Sequence, residues 1–79
     1  MKINGKEIKA KQFAYDGCHK IYLIEDTDDL KDAKDIGYDI YDIELLKETY
    51  DDSCSLRFIN NWKLTEQIVP QFETAKFEE

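Results

Sequence analysis

Twelve acidic side chains lie between Glu25 and Asp52 against three lysines, a local charge of −9 over 28 positions. The flanks differ: residues 1–24 sum to +3 and residues 53–79 to −1, which reproduces the net −7 of the chain. Carboxylates at such density can do three things. They can carry a proton or a phosphoryl group, hold a cation, or attract a basic surface. The run Ile21-Tyr-Leu-Ile-Glu-Asp-Thr-Asp-Asp-Leu30 is the most suggestive for the first two, because an apolar stretch delivers Asp26 and Asp28 together at its end. Cys18-His19 and the distant Cys54 are the other reactive groups.

A hydrophobic strand ending in acids resembles the first strand of response-regulator receiver domains, whose acids help hold Mg²⁺. It also resembles the Asp-x-Asp nucleophile motif of haloacid-dehalogenase-type phosphatases, mapped onto Asp26 and Asp28. Either resemblance implies metal binding or phosphoryl transfer at Asp26 and Asp28. It also implies a doubly wound sheet with further Lys and Ser/Thr elements, for which 79 residues leave no room. An EF-hand loop begun at Asp26 puts Leu30 where a ligand is needed and Lys31 at the obligatory glycine. Cys18, His19 and Cys54 lack the close-spaced pairs of a zinc site. The two cysteines read as reduced, partly buried residues of a cytoplasmic protein. The three glycines are isolated, so there is no phosphate-cradling loop. No enzyme, cofactor or resident metal is expected.

The elements that must carry these groups follow from apolar periodicity. Asn4-Gly5 suits a two-residue hairpin turn. Ile8 and Ala10, then Phe13 and Tyr15, are apolar on opposite parities, which predicts a bulge near Lys11-Gln12. Asp16-Gly17 turns the chain into a strand ending at Ile24 that is apolar on both faces and therefore central. Thr27 is the expected cap of a helix burying Leu30, Ala33 and Ile36. Gly37 ends it in the left-handed conformation, with Tyr38 folding back on Ala33. Tyr38–Tyr41 alternates as a short strand, and Ile24 to Tyr38 spans about the minimum for a parallel crossover. A second helix is expected from Asp42 to Tyr50, burying Ile43, Leu46 and Tyr50. Leu56–Ile59 and Trp62–Leu64 then form a hairpin around Asn60-Asn61, and Pro70 confines the last strand to an edge. The fold class is α+β: a small, mostly antiparallel sheet of about five strands with two short helices on one face, in one domain over residues 1–79.

On the first helix Asp28, Asp32 and Asp35 share a face at i, i+4 and i+7, with Asp29 beside them; on the second, Glu44 and Glu48 repeat the spacing and Asp51 and Asp52 extend it. Neither helix places an acid four residues before a lysine, the stabilising order. Acid stacked on acid costs roughly 0.2–0.5 kcal/mol per pair, a cost that a purely solubilising face of mixed sign would avoid. Such a surface repels nucleic acid and attracts the Lys/Arg grooves that bind phosphates. The format, a small acidic domain without chemistry, resembles the nucleic-acid-mimic inhibitors that phages and mobile elements use against CRISPR or restriction nucleases. The expected function is inhibition of a basic, nucleic-acid-binding protein, with no direct nucleic-acid binding. The contact residues would be Asp28, Asp29, Asp32, Asp35, Asp39, Glu44, Glu48, Asp51 and Asp52. Ten aromatic residues exceed what a thin core swallows, and Tyr41 and Trp62 are the rings expected at the surface. The competing reading is an interaction module, or a homodimer, built on those aromatics or a sheet edge. No apolar run approaches the ~20 residues of a membrane span, and Met1–Lys11 lacks a signal-peptide core, so a cytoplasmic location is expected.

Overall fold

The centre of the molecule is the strand Lys20–Ile24, whose two faces belong to two different hydrophobic clusters. Ile21 and Leu23 join Phe13, Leu46, Ile59 and Val69, whereas Ile24 joins Ala14 and Ala33, with Tyr22 packed alongside. This computed structural model describes residues 1–18, 20–52, 58–64, 66–70 and 72–78, with side chains described outside 49–52.

The elements in chain order are β1 Lys2–Ile3, β2 Lys6–Glu7, β3 Gln12–Tyr15, β4 Lys20–Ile24, α1 Thr27–Ile36, β5 Asp39–Asp42, α2 Glu44–Asp52, β6 Phe58–Asn61, β7 Gln67–Val69 and β8 Phe77–Glu78. The main sheet has the order β5-β3-β4-β6-β7, and a small sheet has the order β2-β1-β8. All described pairings are antiparallel except β4 with β6. The class is α+β, as the apolar pattern implies, and among the described residues no helix is long and apolar enough to cross a membrane.

The turns behave as their residues require. Asn4 and Gly5 take φ of 51° and 81°, and Ile3 faces Lys6 across them. The Asn4 side chain also accepts from the Lys76 amide at 2.7 Å, while its own amide donates to the Lys76 carbonyl, which fastens β8 to β1. Gly37 sits at φ 102°, and the amides of Gly37 and Tyr38 donate to the Ala33 carbonyl, closing α1 as expected. The N-cap is Asp26 rather than Thr27. Asp26 is extended, and its side chain accepts from the Asp29 amide at 2.9 Å, while Thr27 is already helical. The phase change near Lys11 is a strand end, not a bulge, because β3 starts only at Gln12.

One expectation about layers is corrected. The helices pack on opposite faces of the main sheet: Ala33 and Leu30 of α1 meet Ala14 and Ile24, whereas Leu46 of α2, with Ile43 just before the helix, meets the Phe13, Ile21 and Leu23 side. The topology accounts for this. The β4-α1-β5 connection skips β3 in one direction, and β5-α2-β6 returns across β3 and β4 in the other. Crossovers of one hand that travel in opposite directions land on opposite faces. The small sheet covers the α2 face, through Ile3 and Phe77. Among the described residues, the α1 face is covered by α1 and aromatic rings.

Asn60 and Asn61 are strand residues of β6, opposite Tyr22 and Leu23 of β4. The reversal falls two positions later, at Trp62-Lys63, where Lys63 has φ 60° and the Leu64 amide donates to the Asn61 carbonyl at 3.2 Å. A long-range parallel partner extends β6 past the residues that local preference would have placed in the turn. The expected burial of Tyr50 and any approach of Cys54 to Cys18 fall outside the described side chains; Cys18 is exposed and free rather than partly buried.

Candidate functional site

Three rings from separate elements meet on the α1 face. Tyr22 comes from β4, Tyr38 follows the cap of α1, and Trp62 leaves the end of β6, its amide donating to the Leu23 carbonyl at 3.0 Å. Tyr22 and Tyr38 are parallel, with centroids 5.8 Å apart and planes 9° apart. Trp62 stands edge-on to both, at 5.6 Å from Tyr22 and 6.2 Å from Tyr38. Ala14 and Ala33 are both fully buried in this layer, and their small side chains let α1 approach the sheet beside the rings. The Trp62 indole N–H is buried and has no acceptor among the described residues.

Between this aromatic wall and the last turns of α1 runs an open groove of about 510 Å³. Its other sides are Asp32, Asp35, Ile36 and Lys63. Ile36 was expected in the core; it is 60% exposed instead, because the helix rolls its Leu30–Ala33 side onto the sheet and leaves Ile36 at the groove mouth. Trp62 was expected at the surface and is half-buried, since its ring closes the cluster.

Lys63, held out by its left-handed turn, reaches α1 across the groove. Its ammonium lies 2.6 Å from Asp32 and 3.3 Å from Asp29. Local periodicity gave no signal for this pairing, which joins positions separated by 31 residues. Exposed ion pairs contribute little stability, but this one has a positional effect: it neutralises part of the acidic flank and leaves the rest. Asp28 and Asp35 are exposed on the same flank and take no part in the ion pairs found among the described residues.

The structure therefore gathers Asp28, Asp29, Asp32 and Asp35 on one side of α1, and it separates them from the remaining candidates. Asp39 and Tyr41 lie on β5 opposite Tyr15 and Phe13 and share their face of the sheet. Tyr41 packs on Phe13 at 5.5 Å and is 39% exposed. Glu44 and Glu48 are exposed on α2, across the sheet from α1. Asp51 and Asp52 end α2, and their side chains lie outside those described. Asp26, the candidate for phosphoryl or metal chemistry, is occupied as the cap of α1. Among the described residues no three His, Cys, Asp or Glu side chains are arranged to hold a metal ion.

Two groups at the groove titrate away from their ordinary values. Burial, then Tyr38 and Asp16, raises the Tyr22 phenol above 10.0. Hydrogen bonds to Asp32 and Asp29 raise the Lys63 ammonium above 10.5. Folding favours the protonated form of both. Their contribution is whole below the unfolded-state values and is lost as pH rises past 10.0 and then 10.5 through the raised folded values. Urea unfolding followed by Trp62 fluorescence should show stability falling above about pH 10. In Lys63→Met the fall should be smaller. A flat profile across that window would contradict the geometry described.

Compared with known proteins, the chain matches no family model, no curated protein and no solved structure.

Proposed function

We propose that this chain is a non-enzymatic binding protein that sets the acidic flank of α1 against a Lys/Arg surface of a nucleic-acid-binding protein, and so keeps nucleic acid off that surface. The observation that carries the reading is the placement of four aspartates on one side of one helix. Successive turns are ~5.4 Å apart, a spacing on the scale of a phosphate backbone. Lys63 takes up Asp29 and Asp32, so Asp28 and Asp35 are the forward charges. The face carrying Asp39, Glu44 and Glu48 is a separate surface and is not part of the proposed contact. Inhibition of a defence nuclease, as in the phage and mobile-element proteins whose format this chain shares, is the biological role that the reading implies.

The test is capture on the immobilised protein at low and high salt, beside Asp28→Asn/Asp35→Asn. The expected result is a nucleic-acid-binding protein that duplex DNA displaces, that high salt releases, and that the double variant holds about tenfold less tightly. Capture indifferent to salt and to both substitutions would overturn the reading.

The homodimer reading rests on β5, one of the two edge strands of the main sheet and the one on which Tyr41 is exposed. Asp39 and Asp42 are exposed on the same four-residue strand. Charged side chains on a short edge strand are a usual device against edge-to-edge pairing, so the geometry favours the acidic flank.

A further inference from the structure

We infer that the groove beside α1 is a receptor for an arginine side chain presented by the basic partner, with its guanidinium over the Tyr22–Tyr38–Trp62 surface and its charge against Asp35 and Asp32. The inference rests on the proposed docking of the α1 flank and names the group recognised there.

Charge and shape select the occupant. The groove joins an aromatic wall to two carboxylates and one ammonium, Lys63, which is paired with Asp32, so an anion would be repelled by Asp35 as well as by the net −7 of the chain. A neutral apolar group would cover those carboxylates without answering their charge, which is costly. A cation that is also flat satisfies both walls. The guanidinium is planar, weakly hydrated and able to stack on a ring while donating sideways to a carboxylate. The lysine ammonium is compact and strongly hydrated, so it loses more on leaving water for an aromatic face. The rings touch one another at 5.6–6.2 Å between centroids. No slot is left between them, and the cation lies over their common surface rather than inside a box.

Lys63 sharpens the choice. It already neutralises Asp32 in part, at 2.6 Å, and Asp35 has no such partner among the described residues, so a carboxylate without an ion pair among them lines the groove with the aromatic wall. A volume of about 510 Å³ falls within the roughly 300–1,000 Å³ of small-molecule sites. That exceeds one side chain, leaving room for the backbone on either side of the arginine.

The experiment uses three short peptides, acetyl-Gly-X-Gly-amide with X arginine, lysine or citrulline, titrated into the whole protein. Trp62 is the only tryptophan and serves as the fluorescence reporter, with amide chemical shifts as the second readout. The expected result is a saturable response to arginine, in the millimolar range, that is about two- to fivefold weaker for lysine and absent for the neutral, isosteric citrulline. Asp35→Asn should weaken the arginine response by a similar factor. Ile36→Lys, at an exposed position, should abolish it with an unchanged circular-dichroism spectrum. Asp28→Asn, outside the groove, should leave it intact. A citrulline response equal to that of arginine, a lysine response as strong, an effect of Asp28→Asn matching Asp35→Asn, or no saturable response would each overturn the assignment. The two proposals fail separately. Partner capture that is lost in Asp28→Asn/Asp35→Asn but retained in Ile36→Lys keeps the acidic flank and removes the arginine receptor. Arginine binding without salt-sensitive capture does the reverse.

Discussion

Leu46→Ala is expected to remove a large share of the stability of this protein. Leu46 is fully buried, in one cluster with Phe13, Ile21, Leu23 and Ile59, and is the residue by which α2 is anchored among the described side chains. Truncating such a leucine costs about 2–5 kcal/mol, the spread reflecting how far the cavity collapses. A chain of this size has roughly 4–12 kcal/mol in total. Its neighbour supplies the control: Leu45 is 42% exposed, and Leu45→Ala should change stability by less than about 0.5 kcal/mol. Urea unfolding monitored by Trp62 fluorescence distinguishes the two. Equal effects at both positions would show that α2 does not present the Leu46 side to the sheet.

The second large effect runs against helix propensity. Leucine is nearly as good a helix former as alanine, yet Ala33→Leu should destabilise by about 1–3 kcal/mol, the usual cost of overpacking. Ala33 and Ala14 are both at 0% exposure with Ile24 at 2%, and this alanine contact sets how closely α1 lies on the sheet. A leucine there must lift the helix, and Asp32, Asp35 and Ile36 would move with it relative to Tyr38 and Trp62. The substitution should therefore weaken partner capture although it touches no surface charge. A variant that folds with unchanged stability and unchanged capture would mean that the layer has slack which the burial does not show.

Both predictions concern layers, and the layers are where the sequence was least legible. Local chemistry was readable where one residue decides the outcome. Gly37 ends α1, Asn4-Gly5 turns β1 into β2, and the apolar faces of β4 marked it as central. The α+β class followed from those elements. What local pattern could not supply was the identity of a partner far along the chain. Asn60 and Asn61 have every local reason to turn, and they are strand residues because β4 pairs with them. Ile36 continues the 3.6-residue apolar spacing, yet α1 tilts toward Leu30 and Ala33 and leaves it exposed. The assignment of both helices to one face failed because strand order, which fixes the direction of each crossover, is not encoded in periodicity.

The candidate site divides in the same way. The four aspartates of α1 were visible as spacing on a single element. Their separation from Glu44 and Glu48 was not visible, since it depends on which face each helix takes. The ring cluster and the Lys63 bridge join segments from four parts of the chain, and no window of sequence contains them. One hint was present: Tyr22 shares its parity with Ile24 on a strand apolar on both sides, which already placed a polar-tipped ring on a covered face.

The parallel pairing of β4 with β6 also governs the order in which the protein can be made. During synthesis β3, β4, α1 and β5 emerge while the β6 side of the central strand is still without its partner, and the apolar edge of β4 waits for Phe58–Asn61. Contacts this distant in sequence are slow to form because the intervening loop must close before it is rewarded. An unpaired apolar strand in that interval invites other half-made chains to add to it. The span synthesised during the wait covers residues 25–57, and its first 28 positions, Glu25 to Asp52, carry the −9. Whatever the acid does in the finished fold, like charge at that density sets partly folded chains against one another, and it is expected to oppose their association at the open edge until β6 pairs.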